Sequence, residues 1–428
     1  MKRRQLKLFI LAGLVTACLL ALLVWSSPAA PIPGTTPEKV TLKLLMVSPE
    51  VPQWKSLAQA LEAANPDLHL ELVEGPADPN GLEDLYTAAF LLGNSPYDLV
   101  YMDVTWAPKF AAAGWLREVG DRLSPQEVAE FLPGNLNGGR YQGKLYRIPF
   151  RSDVGVLYYR KDLLDQAGYK PPETFAELLT ISQALQQQRK ATWGYLWQGR
   201  QYEGSAAMFV EVLQGFGGFW IDPDTRAVGL DQPQAIQAVE FLRGTIAQGI
   251  SPPGVVTYRE EETRRAFQGG EAVFLRNWPY VWTLANAKDS AVRGNIGITS
   301  MVHAPGYAGG GCQGGWGLGI SSTTKHPEAA WRAVQFLTSA ESQQQFSLER
   351  GYLPARRTVF TDRQIVQKYP YFPDLLKLAE RPVLRPPAAQ YAQASDILQR
   401  YLSATLTGRM TPQQAMTAAA NETRRLLG

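Results

Sequence analysis

From Val40 the apolar positions fall into a regular order of strand and helix. Val40-Thr-Leu-Lys-Leu-Leu-Met46 predicts a first strand. After Ser48-Pro49-Glu50, apolar residues recur at Val51, Trp54, Leu57, Ala58, Leu61 and Ala64. Spacing by three and four is the signature of an amphipathic helix. Asn65-Pro66-Asp67 breaks that helix, and Leu68-His-Leu-Glu-Leu-Val73 alternates as a second strand. A strand, a helix and a strand within about 35 residues make a βαβ unit, so the sheet is at least partly parallel. Tyr97 to Met102 predicts a further strand ending at Asp103, and Glu271 to Arg276 a short buried one. Helical patterns recur at 173–188, 231–248, 259–268, 327–346 and 411–427. There are no internal repeats. The class is α/β.

The first thirty residues break this pattern. Lys2, Arg3, Arg4 and Lys7 precede an uncharged apolar run from Leu8 to Trp25, followed by Ser-Ser-Pro-Ala-Ala-Pro. That basic, apolar, small-residue order is an export leader. Val15-Thr16-Ala17-Cys18 resembles a lipobox, which makes Cys18 the expected lipidation site. Cleavage after Ala29 or Ala30, or retention as an uncleaved anchor, are the alternatives. Residues 1–30 are therefore leader, and the proline-rich stretch 31–39 is a linker. Four of the 42 basic residues lie in the leader, which leaves 38 against 39 acidic ones, a net charge of about −1. No basic patch argues for nucleic acid. Cys18 and Cys312 are the two cysteines, too few for a disulfide-stapled fold.

The candidate chemistry is aromatic and acidic. Asn277-Trp278-Pro279-Tyr280 follows a predicted strand, and Pro279 stops any ladder there, so Trp278 and Tyr280 are expected at a strand end. In Gly314-Gly315-Trp316-Gly317 an indole stands among glycines that allow close approach to the backbone. Flat aromatic faces beside polar groups suit sugars, which have an apolar C–H face and a hydroxyl rim. Asp103 at the carboxyl end of a strand either caps the next helix or meets a ligand. Glu50, in the turn after the first strand, either favours a helix N-terminus or accepts hydroxyls.

In their order these pieces resemble extracellular solute-binding proteins of carbohydrate ABC importers, of the maltose/trehalose type. The resemblance runs from about residue 40 to the end. It is carried by Leu61–Leu72, by Asp98–Trp106 with Ala113–Leu116, and by Pro149–Leu164. Asn277–Tyr280, Gly314–Ile320 and Gly351–Arg356 complete it. It implies a type II periplasmic-binding-protein fold, two doubly wound lobes joined by three hinge crossings near 150–154, 298–303 and 352–357. One lobe takes 40–150 with 303–352, the other 153–298 with 357–428. Hinge closure would bury ligand between them.

The resemblance further implies a receptor that delivers a di- or oligosaccharide, or a glucosylated polyol, to a membrane permease. It would work as a monomer outside the cytoplasmic membrane, tethered there through the N-terminus, with no cofactor or metal. Glu50, Asp103 and Asp153 would accept from sugar hydroxyls, Trp278, Tyr280 and Trp316 would stack on rings, and Gly315 would offer backbone. Arg356 would hold hydroxyls, with Arg357 as its alternative. Trp106, Arg151, Trp282 and Tyr307 are weaker candidates and are not assigned to the site. Paired carboxylates beside tryptophans also occur in glycosidases. Against an enzyme, the chain has no Gly-x-Ser-x-Gly elbow and no His-Glu-x-x-His, and His69, His303 and His326 are scattered. A non-transport sugar sensor shares every feature.

Overall fold

The computed structural model describes residues 39–428, and the expected leader with Cys18 lies outside them. The strands in chain order are β1 (Val40–Val47), β2 (Leu68–Gly75), β3 (Leu99–Asp103), β4 (Arg140–Tyr141), β5 (Lys144–Leu145) and β6 (Ile148–Val154). They continue as β7 (Val156–Arg160), β8 (Trp193–Leu196), β9 (Ala272–Asn277), β10 (Ile296–Thr299), β11 (Gln313–Ile320) and β12 (Leu353–Pro354). Two main sheets result, a six-stranded one ordered β12-β6-β11-β3-β1-β2 and a four-stranded one ordered β10-β7-β9-β8. β1 pairs in parallel with β2 and β3, as the βαβ pattern required. β11 runs antiparallel to both β3 and β6.

Each sheet is the floor of one lobe. In the second sheet the period of two puts Leu157 into one core, with the helices Glu203–Gly215, Pro233–Ala247 and Tyr391–Leu406. Val156 and Tyr158 face the other way, into a core closed by Val281–Ala285 and Phe372–Ala379. A sheet covered on both faces needs apolar residues at successive positions, which is why β9 is buried throughout. The first lobe packs Trp54, Leu57 and Leu61 of the helix Val51–Ala64 against the strand residues Leu44, Tyr101 and Leu318.

Three details differ from the sequence reading. Ile148–Val154 and Ile296–Thr299, which the hinge crossings expected near 150–154 and 298–303 overlap, are strands in the two sheets. Pro149 is tolerated inside a buried strand because the β6–β11 register slips there, from Trp316 opposite Arg151 to Gly317 opposite Pro149. A bulge is where a missing ladder donor does least harm. The helix expected over 327–346 is two, Pro327–Leu337 and Ala340–Arg350, because Ser339 caps a new start by accepting from Ser342 N.

The chain leaves the first sheet at Val154 and enters the second at Val156. Gly155 between them has no room for a side chain, since a Cβ would stand 1.7 Å from the Glu211 carboxylate. The return comes later than the expected 298–303. Met301, Val302 and Cys312 belong to the second lobe's core, and the chain rejoins the first sheet at Gln313. It departs for the last time beyond Pro354, and Val359 and Phe360 pack with Val156 and Tyr158.

Candidate functional site

A cavity of about 550 Å³ lies between the lobes. Glu50, Asp103, Asp153, Gly315 and Trp316 line it from the first lobe, and Trp278 and Tyr280 from the second. Seven of the eight residues expected to bind ligand therefore meet in one place. Sequence order cannot bring them there; the sheet ladder does, by pairing Gly314 with Asp153 and Trp316 with Asp103.

Arg151 organises the first wall. Its guanidinium donates to Glu50 Oε1 at 2.7 Å and to the Asp153 carboxylate, and its Nε donates to Tyr101 Oη at 3.2 Å. Tyr101 in turn donates to Glu50 Oε2 at 2.7 Å. Tyr352 covers the guanidinium face, with its ring centroid 4.3 Å away. Both oxygens of Glu50 are thereby occupied, so Glu50 shapes this wall more than it offers a free acceptor. Asp153 differs. Its Oδ1 is buried and has no hydrogen-bond partner among the described residues. Burial pushes the Asp153 carboxyl up to about 7, against the pull of Arg151 and with help from the negative charges of Glu50 and Asp103. A buried acceptor without a partner costs about 1–3 kcal/mol until a donor arrives. A hydroxyl is such a donor.

Arg385 is the second organiser, and sequence reading missed it. It donates to Glu203 Oε1 at 2.6 Å, to Asp103 Oδ1 at 3.0 Å and to the Gln313 carbonyl at 3.2 Å. Asp103 belongs to the first sheet and Glu203 to a second-lobe helix, so one side chain ties the lobes together across the cleft. Arg385 lines the cavity and its buried Nε lacks a partner among the described residues. Arg385, with an unpaired buried Nε, and Asp153, with an unpaired buried Oδ1, thus line the same space. Glu203, Glu260, Glu261 and Tyr352 are further lining residues absent from the sequence reading. No signal in the sequence marked Arg385, which lies in the aperiodic stretch Arg381-Pro-Val-Leu-Arg-Pro-Pro387.

The aromatics divide into two kinds. Trp278 follows β9 and is half-buried, its Nε1 donating to Glu260 Oε1 at 3.3 Å. Arg276 lies against its ring, 4.2 Å from the centroid. That leaves ring surface for a ligand, with the indole fixed by a cation–π contact and a charged acceptor. Tyr280 donates to Glu261 at 2.9 Å and stacks on Tyr352 at 5.8 Å. Trp316, expected among open glycines, instead sits inside β11. It is 7 % exposed, stacked on Tyr101 at 4.7 Å and met edge-on by Trp106 at 5.4 Å. It serves the core and the cavity at once. Gly315 has φ +130°, and a Cβ there would come within 2.5 Å of Asn135, so only glycine lets the backbone border the cavity at this point.

Arg356 is a correction. It does not line the cavity: its Nε donates to the Thr338 carbonyl at 2.9 Å, its Nη1 pairs with Glu130, and its guanidinium covers Phe131. The residue directs its charge into a seam of the first lobe, away from the ligand space. Arg357, the alternative, pairs with Glu380 at the surface. Trp282 stacks on Tyr371, and Tyr307 is exposed; neither borders the cavity. Among the described residues there is no cluster of three or more His, Cys, Asp or Glu that could hold a metal ion, and no helix long and apolar enough to cross a membrane.

Comparison with known proteins places this geometry. A Deinococcus radiodurans protein named as a probable ABC transporter-binding protein is 30% identical over 367 residues, 84% of this chain and 87% of its own. A maltotriose-binding protein of Pyrococcus abyssi is 26% identical, spanning 76% of this chain and 68% of its own. Among solved structures, maltose-bound MalE3 of T. maritima superposes with a TM-score of 0.86 at 33% identity, covering 90% of this chain and 99% of that one. Residues 48–344 match the family described as bacterial extracellular solute-binding protein. The chain belongs to that family.

Proposed function

We propose that this chain is the extracytoplasmic receptor of a carbohydrate ABC importer, closing two lobes on a di- or oligosaccharide and presenting it to a membrane permease. One observation carries the reading. Trp278 from one lobe and Trp316 from the other line the same cavity as Asp153, whose Oδ1 is buried and unpaired among the described residues. Aromatic faces take the C–H side of a ring, and a buried carboxylate takes its hydroxyls. The relatives named for maltose and maltotriose support an α-glucoside as ligand. Gly155, Cys312–Gln313 and the chain beyond Pro354 are the points at which the lobes would flex, since there the backbone passes from one core to the other.

Closure strengthens such a site by drying it. Hydroxyls exchange water for fixed partners, and the net gain requires those partners to be oriented beforehand. Arg151 and Arg385 do that by holding the carboxylates in place. Asp103, Asp153, Trp278, Tyr280, Gly315 and Trp316, together with Arg385, are the proposed ligand contacts, and Glu50 shapes the wall that carries them. Lipidation at Cys18 would tether the receptor to the membrane; radiolabelled palmitate should enter the protein and disappear in Cys18→Ser.

Thermal-shift screening against di- and oligosaccharides tests the reading, since ligand at 100 times its Kd stabilises by about 2.7 kcal/mol. Small-angle scattering with the best ligand should show a smaller radius of gyration. No shift with any saccharide, or an unchanged profile at saturation, would sink the proposal.

A further inference from the structure

The lobes also meet outside the sugar space. The second-lobe helix Glu203–Gly215 begins after Tyr202, whose hydroxyl donates to Glu260 Oε2 at 2.6 Å and does not cap the helix. A helix N-terminus leaves its first amides without partners inside the helix, and a short polar side chain commonly takes one of them. Here the partner comes from the other lobe. The Glu203 amide donates to Asn80 Oδ1 at 3.1 Å, across 123 residues of chain. Asn80 stands in the first turn of the helix Pro79–Leu91, whose Leu82, Tyr86 and Phe90 belong to the first lobe's core.

A second contact lies beside this one. Asp78 caps its own helix, its Oδ1 accepting from Gly81 N at 3.1 Å, and its Oδ2 meets Arg259 of the second lobe at 3.5 Å. Arg259 in turn lies over the Tyr202 ring, 5.7 Å from its centroid. Asn80, Asp78, Tyr202 and Arg259 thus form one patch, and both partners of each contact belong to the protein. None of the four lines the main cavity.

We infer that this patch is a latch: Asn80 and Asp78 set sugar affinity without touching sugar, by favouring the closed arrangement of the lobes. The inference rests on the receptor reading above. A ligand that binds the closed arrangement gains whatever the protein itself contributes to closing it. One cap hydrogen bond is worth about fivefold in an equilibrium, and a partly exposed ion pair about twofold. The latch therefore biases the lobes and leaves sugar to complete the closure. A neutral sugar brings no charge, so salt acts on its binding through pairs within the protein. The Asp78 and Arg259 side chains are 24 % and 27 % exposed, open enough for salt to screen them.

Maltose titration and small-angle scattering test this on wild type, Asn80→Ala, Asp78→Asn and the double variant. Asparagine at position 78 still caps the helix and removes the charge that faces Arg259. Asn80→Ala should weaken maltose binding about fivefold and Asp78→Asn about twofold, with the loss seen as faster sugar release. Raising salt should weaken wild type by about the same factor as Asp78→Asn and leave that variant unchanged. Without sugar the double variant should have the larger radius of gyration, and sugar should shrink it more than wild type. If Asn80→Ala also lowers the unliganded melting temperature, Asp78→Asn, which leaves every cap in place, decides. Unchanged maltose affinity in the double variant overturns the latch and leaves the receptor standing. Failure of any saccharide to bind wild type overturns the receptor, and the latch with it.

Discussion

Two buried arginines stand behind the two walls of the cleft, and their surroundings differ. Arg276, in the second lobe, makes a bidentate pair with Glu211 at 2.8 and 2.5 Å, and both side chains are fully buried. Glu211 Oε1 also accepts from Cys312 N at 2.9 Å, where the chain crosses back. One cation meets one anion. Glu211 raises the Arg276 pKa against the opposing effect of burial, so the pair stays charged and balanced. Arg151, in the first lobe, faces two carboxylates, Glu50 and Asp153, and one oxygen of the pair is left over. The balanced pair is scaffold: it backs Trp278 and fixes a crossing. The unbalanced one leaves a spare buried acceptor on a residue that lines the cavity. A satisfied buried ion pair holds a fold in shape, whereas an unsatisfied one is waiting for a partner.

The largest expected effect comes from breaking the balanced pair. Glu211→Ala leaves Arg276 buried without its anion, and removing one partner of such a pair costs about 3–5 kcal/mol. Denaturant unfolding should show that loss, and refilling the site with Glu211→Asp should recover part of it.

The two tryptophans sharpen the contrast. Trp316→Ala removes a packed core residue, and its stability should fall by about 3–5 kcal/mol along with binding. Trp278→Ala should weaken sugar binding by about fivefold to more than a hundredfold, through loss of about 1–3 kcal/mol of ring contact, with far-UV dichroism unchanged. Equal stability loss in the two variants would erase the distinction between the walls.

Asp153 gives an effect on binding of similar size to that of Trp278, and a pH signature. Asp153→Asn should cost about 1.5–3 kcal/mol of affinity, the range for a hydrogen bond to a charged group. Its folded pKa, at about 7, is raised above the usual carboxylate value. Stability contributed by that shift is therefore present at low pH and lost as pH rises through about 7. Binding runs the opposite way, because a donated hydroxyl favours the ionised carboxylate. Affinity should fall as pH drops below 7, by up to about tenfold per unit, and the dependence should flatten in Asp153→Asn. Tighter binding at pH 5.5 than at pH 8 would show that Asp153 acts as a protonated donor. The smallest effect is expected at Arg356. Arg356→Ala should leave the sugar Kd within twofold, since the side chain is turned into the Glu130–Phe131 seam.

Much of this molecule was legible in local sequence. Strands β1 to β3 and β9 followed from runs and alternation, and the helices Val51–Ala64 and Pro412–Leu427 from three-four spacing. Trp278 and Tyr280 were placed at a strand end by Pro279 alone. Less legible were elements whose stability is not local. Pro149 reads as a break, yet a bulge across from Trp316 accommodates it in a buried strand. Asp153 reads as a poor strand residue, yet Arg151, two residues away on the same strand, supplies the cation that makes burial tolerable.

By itself the sequence determined the α/β order and the supply of aromatics and carboxylates, because periodicity and turn chemistry act between near neighbours. Only the tertiary structure decided which arginine serves the cleft. Arg385 meets Glu203 and Asp103 across 182 and 282 residues of chain, and Arg356 finds Glu130 across 226. In sequence the two are alike, each a basic residue within two positions of a proline. Charge pairing depends on where the chain path brings a side chain, and that path crosses two lobes. No local pattern encodes such a meeting, so the burial and partners of each guanidinium had to be seen in the fold.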